Sequence, residues 1–127
     1  MNAIDTSALM TIVLDEPDAA SCIDVLEAED DIVISAATVA EALIVAGRRN
    51  VEPEVRRLID GLGFEIVDVT SATALRVAEI HARWGKGIHR AALNFGDCFA
   101  YDLARERGCP LLFVGNDFAQ TDIERAG

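Results

Sequence analysis

Basic residues are scarce in this sequence. Its 127 residues include 11 Lys and Arg against 22 Asp and Glu, which gives a formal net charge of −11. A protein that grips phosphates over a broad surface is usually basic, so a general nucleic-acid-coating role is excluded. The cysteines are also few, and Cys22, Cys98 and Cys109 show no CxxC spacing. This pattern favours buried thiols in a reducing compartment, the cytoplasm, over a disulfide or a zinc site.

Long hydrophobic runs and linker-like segments are absent as well. The longest apolar stretch, residues 32–47, is interrupted by Glu41, and the amino-terminal region carries Asp5 and Asp15 rather than basic residues. Neither a membrane span nor a secretory signal is expected from this pattern. No segment is rich in Pro, Gly and Ser, and the chain length is close to that of a typical domain. We therefore expect a single domain over residues 1–127.

Short apolar segments alternate with helical ones along the chain. No tight hairpin signal separates the four predicted strands, so the pattern predicts an α/β fold whose parallel sheet is covered on both faces by helices. The strands are expected at residues 3–4, 32–34, 64–69 and 111–114. The helices are expected at residues 7–14, 18–29, from Ser35 or Thr38 to 49, 53–59, from Thr70 or Ser71 to 84, and 94–107.

Two of these helices show an apolar periodicity. In the helix that ends at Trp84, Leu75, Val77, Ile80 and Trp84 roughly follow the 3.6-residue period, and in the last helix Phe95, Phe99 and Leu103 recur every four residues. Such spacing predicts that these side chains face the core.

Four acidic residues lie next to the predicted strand ends or helix starts: Asp5, Glu41, Asp97 and Asp117. In a parallel sheet this placement gathers them at the carboxyl edge, where ligands of such sheets bind. Like charges held close together raise one another's pKa, and a divalent cation between them relieves that cost. The pattern therefore predicts a magnesium or manganese site.

Each acid also has a local structural explanation. Asp5 can cap a helix, and Asp117 can belong to a turn. Glu41 stands three residues after Thr38, which is the spacing of a capping box, and Asp97 stands three after Asn94, which places it in the first turn of a helix. However, Ser, Thr and Asn cap equally well, so caps alone do not require an acid at all four places.

Several motifs resemble those of PIN-domain proteins, and among them the VapC-type toxins of toxin–antitoxin pairs. They are Asp5-Thr6-Ser7-Ala8, Thr38-x-x-Glu41, residues 93–101 (LNFGDCFAY) and residues 111–123 (LLFVGNDFAQTDI). The resemblance runs from end to end of the chain. It implies a three-layer α/β/α sandwich with a parallel sheet of four to five strands, and a Mg²⁺- or Mn²⁺-dependent endoribonuclease. Toxins of this family cut structured RNA such as tRNA or ribosomal RNA.

The resemblance also implies roles for the acids. Asp5 and Asp97 would be direct metal ligands, Asp117 would bind the same or a second ion, and Glu41 would hold or orient the attacking water. Ser7 and Asn116 would orient these carboxylates or act as caps. The implied partners are a VapB-like antitoxin, an RNA substrate and a second copy of the chain in a homodimer.

Some positions depart from that family pattern. Asp102 stands where a small apolar residue is common; it is five residues after Asp97, about 140° around a helix, so we expect it to point away from the site as surface charge or antitoxin contact. Arg90 replaces a common proline, and Asn116 a common acid. Asp122 is expected to cap a final helical turn. His81 and His89 have no spacing that indicates a nucleophile or a zinc site.

The few cations have expected places. Arg48 and Arg49 end the third helix, and we expect the apolar first and third helices with these arginines to form a groove for an antitoxin segment. Lys86, His89 and Arg90 lie in a loop before Asp97, where they would face RNA.

Two other functions stay open. One is a non-catalytic RNA- or partner-binding module, although all four acids are present. The other is a phosphotransfer or receiver-like α/β domain, although Ser7 stands where a second Asp would be expected, and the P-loop and GxGxxG motifs are absent.

Overall fold

A four-stranded parallel sheet lies at the centre of the molecule. The computed structural model describes all residues from Met1 to Gly127. The strands are β1 (Asn2–Ile4), β2 (Ile32–Ser35), β3 (Glu65–Val67) and β4 (Leu111–Leu112). They are hydrogen-bonded in the order β3-β2-β1-β4, and every neighbouring pair is parallel. Beyond β4, Leu111 forms one more parallel bridge with Arg125, which extends this edge of the sheet.

Six helices connect and cover the strands: α1 (Thr6–Val13), α2 (Ala19–Ala28), α3 (Ala36–Arg48), α4 (Glu52–Gly61), α5 (Ser71–Trp84) and α6 (Phe95–Arg107). A short 3₁₀ turn follows at Phe118–Gln120. None of the helices is both long enough and apolar enough to cross a membrane.

Alternation along the strands creates two hydrophobic layers. In β2, Val33 packs on one face of the sheet, while its neighbours Ile32 and Ile34 pack on the other, as the two-residue period of a strand requires. The first layer is completed by α5 and α6, and the second by α1, α2, α3 and α4. The predicted α/β fold with a parallel sheet covered on both faces is confirmed.

Side-chain caps fix where α3, α5 and α6 begin. Ser35 accepts a hydrogen bond from the Ala37 amide and caps α3, so the alternative start at Thr38 is wrong. The expected capping box between Thr38 and Glu41 is therefore absent. Thr70 caps α5, and Asn94 caps α6 in a capping box with Asp97. Ser35 is also the last residue of β2, so α3 begins directly at the end of that strand.

Two apolar side chains that were expected inside are exposed. Leu75 is 71% exposed because Val77, which is buried, lies about 200° around the same helix, so both cannot face the sheet. Phe95 is 72% exposed, since the first turn of α6 extends beyond the core. Its ring packs edge-on against Phe99, with 5.0 Å between ring centroids.

Asp102 is buried, so its expected role as surface charge is wrong. It is 5% exposed and accepts two hydrogen bonds from Arg76 of α5, at 2.7 and 3.1 Å. A buried carboxylate needs such a partner, and a sequence does not reveal which helix supplies it. The residue joins α5 to α6.

Candidate metal centre

Asp5 lies where β1 ends and α1 begins. Its backbone N–H donates to the Leu112 carbonyl of β4, while its Oδ2 atom caps α1 by accepting from the Ser7 amide at 3.0 Å and the Ser7 hydroxyl at 2.7 Å. Ser7 Oγ in turn accepts from the Val114 amide at 3.0 Å. This chain of bonds fixes the carboxylate between the ends of β1 and β4. The other oxygen, Asp5 Oδ1, is buried and has no hydrogen-bond partner.

Asp97 lies in the first turn of α6. Its Oδ2 atom accepts from the Asn94 amide at 2.9 Å, and Asn94 Oδ1 accepts from the Asp97 amide at 2.8 Å. The residue therefore forms a capping box, the structural explanation that its spacing allowed. It also belongs to the acidic group, because Asp5, Glu41 and Asp117 all act on its charge.

Glu41 comes from the second turn of α3. Its Oε1 atom accepts a 2.6 Å hydrogen bond from Thr6 Oγ1, which lies next to Asp5. Its Oε2 atom lies against Gly96, next to Asp97: an ideal Cβ built on Gly96 would overlap it. Glu41 is thus held between the start of α1 and the start of α6.

Asp117 is the most open of the four acids. It is exposed, precedes the 3₁₀ turn, and makes no side-chain cap. The neighbouring Asn116 is also exposed and makes no side-chain hydrogen bond. The four predicted acids therefore surround one region, with Asp5 buried, Glu41 and Asp97 partly buried, and Asp117 at the rim.

Burial is the main cause of the unusual acid–base properties of this region. It raises the pKa of Asp5 to about 6, against the opposing effect of the Ser7 hydrogen bonds, and the charge of Glu41 raises it further. Burial also raises the pKa of Asp97 to about 7; the Asn94 amide opposes the shift, whereas the charges of Asp5, Glu41 and Asp117 add to it. Carboxylates crowded in this way gain most from a cation.

The donor chemistry suits a hard divalent cation. All candidate ligands are carboxylate oxygens, and the buried Asp5 Oδ1 is an orphan acceptor that needs a positive partner. As the side chains stand, no three His, Cys, Asp or Glu residues form a ready-made metal cage. Mg²⁺ commonly uses only one or two carboxylates and keeps several waters, so the residues present fit this ion.

Asp122 lies apart from the acidic group. The expected helix cap is wrong: its carboxylate accepts from the Tyr101 hydroxyl and, at 3.2 Å, from Arg105. Trp84 Nε1 donates to the same Tyr101 hydroxyl at 3.2 Å. The motif residues Tyr101 and Asp122 thus join α6 to the carboxyl-terminal segment.

The three thiols are free and buried, as expected. Burial raises the pKa of Cys98 to about 11, with the neighbouring Asp97 charge adding to the shift. Cys98 is therefore a thiol packed beneath the acidic group and not a nucleophile.

Thr6 and Gly96 are two site residues to which the sequence motifs assign no role. Both touch Glu41 in the structure. The only sequence signal is that each adjoins a predicted acid, Thr6 after Asp5 and Gly96 before Asp97. Their contact with Glu41 depends on how α1, α3 and α6 pack, which a linear motif does not encode.

The comparisons with known proteins agree with this geometry. The family model of the PIN domain matches residues 3–124. Ribonuclease VapC30 of Mycobacterium tuberculosis is 44% identical over 125 residues, covering 94% of each chain. Ribonuclease VapC36 of the same organism is 46% identical over 129 residues, covering 98% of this chain and 92% of the relative.

Solved structures show the same fold. Mycobacterium tuberculosis VapC20, described as a sarcin-ricin loop cleaving toxin, superimposes with a TM-score of 0.80 at 14% identity and covers 97% of this chain and 96% of its own. A toxin–antitoxin complex from Klebsiella pneumoniae gives a TM-score of 0.72 at 19% identity, with 96% and 93% covered. The fold and the acidic edge define a PIN-domain protein. Together with the sequence relatives, they show that the chain belongs to the VapC ribonucleases of that family.

Proposed function

We propose that this VapC-family ribonuclease is a Mg²⁺- or Mn²⁺-dependent endoribonuclease and the toxin of a toxin–antitoxin pair, acting in the cytoplasm. The observation that carries the proposal is the buried, unpartnered Asp5 Oδ1 beside Asp97, whose raised pKa is caused by burial and by three neighbouring acids. The sequence relatives, which are named VapC ribonucleases, support RNA as the substrate.

The proposed roles follow from where each acid is held. Asp5 and Asp97 are the metal ligands, since both are fixed by hydrogen bonds that leave an oxygen available. Asp117, at the rim, contributes to the same or a second ion. Glu41 accepts from Thr6 through one oxygen and can hold a water through the other. A bound Mg²⁺ or Mn²⁺ would polarise the scissile phosphate and lower the pKa of the attacking water.

Hydrogen bonds within the protein hold two of these carboxylates in place before RNA binds. Ser7 ties Asp5 to the end of β4, and Asn94 ties Asp97 to the first turn of α6, so neither carboxylate has to be ordered when the RNA arrives. Fixed carboxylates reduce the reorganisation that accompanies charge development in the transition state.

Metal removal is the direct test. Purified protein is incubated with RNA in Mg²⁺, in EDTA, and in EDTA followed by excess Mg²⁺, and the cleavage ends are mapped. We expect cleavage only with the cation, and a loss of roughly 10²-fold or more in kcat for Asp97→Asn. Asp60→Asn is the matched control, because Asp60 is an exposed aspartate of α4 with no side-chain hydrogen bond. Equal cleavage in EDTA, or by Asp97→Asn, would favour the non-catalytic module.

We also propose an antitoxin and a second copy of the chain as partners. The Klebsiella pneumoniae neighbour is a toxin–antitoxin complex, which supports an antitoxin. The cleft that adjoins Glu41 lies between α3 and α6, not between the expected α1 and α3. Its volume is about 440 Å³, and its lining includes the exposed Ile44 and Phe95 and the cation Arg48. An apolar antitoxin segment could occupy it and place a basic side chain near Glu41.

Light scattering of the purified chain tests the homodimer, and co-expression with the product of a small upstream gene tests the antitoxin. We expect a two-copy mass, and a complex in which RNA cleavage is suppressed. Ile44→Asp should weaken that complex, whereas Leu75→Asp, at a still more exposed apolar site on α5, should leave it intact.

A further inference from the structure

We propose that Gly96 and Thr6 are positioning residues that together set the place of the Glu41 carboxylate beside Asp97. Gly96 removes the side chain that would push this carboxylate away, and Thr6 holds it by a hydrogen bond. The inference rests on the proposed function in that Glu41 is taken to act in RNA cleavage.

Gly96 has no backbone reason to be glycine. It lies inside the first turn of α6 without a positive φ, and glycine there costs helix stability relative to alanine. Its surroundings supply the reason. An ideal Cβ on Gly96 would overlap Glu41 Oε2 and lie 2.5 Å from Cδ and 3.0 Å from Oε1. Nothing else lies closer to that Cβ than this one carboxylate, so the missing side chain makes room for Glu41.

Thr6 acts on the opposite side of the carboxylate. Its hydroxyl donates to Glu41 Oε1 at 2.6 Å, and Thr6 itself is 8% exposed at the start of α1. The two carboxylate oxygens therefore have different surroundings. Oε1 accepts the hydrogen bond from Thr6, and Oε2 lies in the space that a side chain on Gly96 would fill. Glu41 thereby reaches from α3 to the junction of α1 and α6 in one defined place.

A thermal double-mutant cycle tests the contact without any need for activity. In the wild-type background Gly96→Ala should raise the melting temperature less than the better helix propensity of alanine alone would, because the Glu41 carboxylate has to move and its hydrogen bond from Thr6 is disturbed. In a Glu41→Ala background the same substitution should raise it by more, because the space is then free and alanine is the better helix former. Gly47→Ala on α3 is the matched control: nothing lies within 4 Å of its Cβ, so it should change the melting temperature equally in both backgrounds.

Kinetics test the consequence for the reaction. Gly96→Ala and Thr6→Val should lower kcat by roughly 10²-fold with KM little changed, as expected for a misplaced group. Thr6→Ser, which keeps the hydroxyl, should restore most of the rate. In the Glu41→Ala background neither Gly96→Ala nor Thr6→Val should lower the rate further.

Two outcomes would overturn the inference. One is an equal change in melting temperature for Gly96→Ala in both backgrounds, which would show that Glu41 does not limit the space at Gly96. The other is a clear difference between the backgrounds with unchanged kcat, which would leave the contact without a role in cleavage. Failure of the proposed function would look different: the wild type would show no metal-dependent cleavage of RNA, while the melting temperatures of the cycle could still be measured and compared.

Discussion

Asp5 and Asp97 are destabilising as anions when no cation is near. Both lose hydration on folding, and both face other carboxylates. Asp5 nevertheless stands where Ser or Asn would cap α1 at lower electrostatic cost, and Asp97 stands at the capping-box position of α6, where an uncharged Gln serves as well. A residue that lowers stability at a place where a better alternative exists is typical of a functional site.

This electrostatic cost predicts how the metal-free protein responds to pH. The pKa values of about 6 for Asp5 and about 7 for Asp97 lie above the ordinary value of 3.8, so between them the folded state binds more protons than the unfolded state. The stability these groups contribute is therefore fully present below about pH 4 and is lost as the pH rises through their folded pKa values. Asp97→Asn should raise the melting temperature in EDTA at pH 8 and change it little at pH 4.

Melting temperatures measured in the presence of Mg²⁺ test the same carboxylates from the side of metal binding. Mg²⁺ should raise the melting temperature of the wild type more at pH 8 than at pH 5, because protons compete with the cation for these carboxylates, and it should raise that of Asp97→Asn much less. Asp60→Asn should follow the wild type throughout. A pH profile of Asp97→Asn parallel to that of the wild type would show that Asp97 does not titrate in this range.

The convergence of the acids could be predicted from the sequence, whereas their supports could not. Parallel strands end at a common edge, so Asp5 after β1 and Asp117 after β4 had to meet there. The orphan oxygen of Asp5 and the contact of Gly96 with Glu41 arise from side-chain packing across three helices. No spacing in one chain encodes such contacts.

At the scale of elements, α5 and α6 form one face of the molecule and are joined by charge as well as by apolar packing. Arg76 bonds Asp102 through two nitrogens, and it also lies 3.5 Å from the exposed Glu106. Trp84 and Asp122 both bond the Tyr101 hydroxyl. These polar contacts are spread along the α5–α6 seam, away from the acidic group.

Asp102→Ala should therefore lower stability without removing activity. Loss of this buried partner breaks a two-bond ion pair, and we expect a clear loss of stability that is smaller than for a fully buried pair, because Arg76 is partly exposed and can reach water. Glu106→Ala removes the exposed partner of the same arginine and should cost less than about 1 kcal/mol. Chemical denaturation measures both.

Measurements of RNA cleavage distinguish a purely structural role of Asp102 from a role in the acidic group. Well below its melting temperature, Asp102→Ala should cleave RNA at a rate close to that of the wild type, since the side chain faces away from the acids. A loss of kcat as large as that of Asp97→Asn, in a variant that is still folded, would contradict the assignment.

Apolar periodicity in the sequence does not predict the exact bounds of the strands or the exact inner face of a helix. The strand predicted at 111–114 forms ladder pairs only at Leu111–Leu112. The strand predicted at 64–69 forms them only at Glu65–Val67, because β3 is an edge strand with a single neighbour. Leu75 fits a loose helical period and yet is exposed. Apolar patterning indicates that a helix has an inner face, but the exact face is set by the partner helix.

At the scale of the whole molecule, the scarce cations are divided into two groups. Six arginines form ion pairs with acids: Arg56, Arg57, Arg76, Arg83, Arg105 and Arg107. The other five cations make no ion pair: Arg48, Arg49, Lys86, Arg90 and Arg125. Arg48 lines the cleft beside Glu41, while Lys86 and Arg90 lie in the loop that leads to α6. Three of the five unpaired cations thus lie in the cleft beside Glu41 or in the loop before α6, where they could meet the proposed RNA substrate despite the net charge of −11.

The loop before α6 is built to hold its cations in place. Lys86 bonds the Leu93 carbonyl through its backbone, and the Ala91 amide donates to His89 Nδ1 at 3.0 Å. The His89 ring packs edge-on against Trp84, with 4.8 Å between centroids. Lys86 and Arg90 are therefore carried on an ordered segment that leads to the cap of α6.

We therefore expect Lys86→Gln/Arg90→Gln to weaken RNA binding while leaving the chemistry intact. KM should rise several-fold with kcat little changed, and the slope of log affinity against log salt should fall by about 0.7–0.9 for each RNA phosphate that is no longer neutralised. Arg56→Gln/Arg57→Gln on α4 is the matched control, because it removes the same charge from two arginines already paired with Glu52 and Glu54. If both double variants weakened binding equally, only the net charge would matter, and the loop would have no special place in the RNA path. A selective effect of the loop variant would instead mean that a strongly acidic protein binds RNA through a few unpaired cations of the loop before α6.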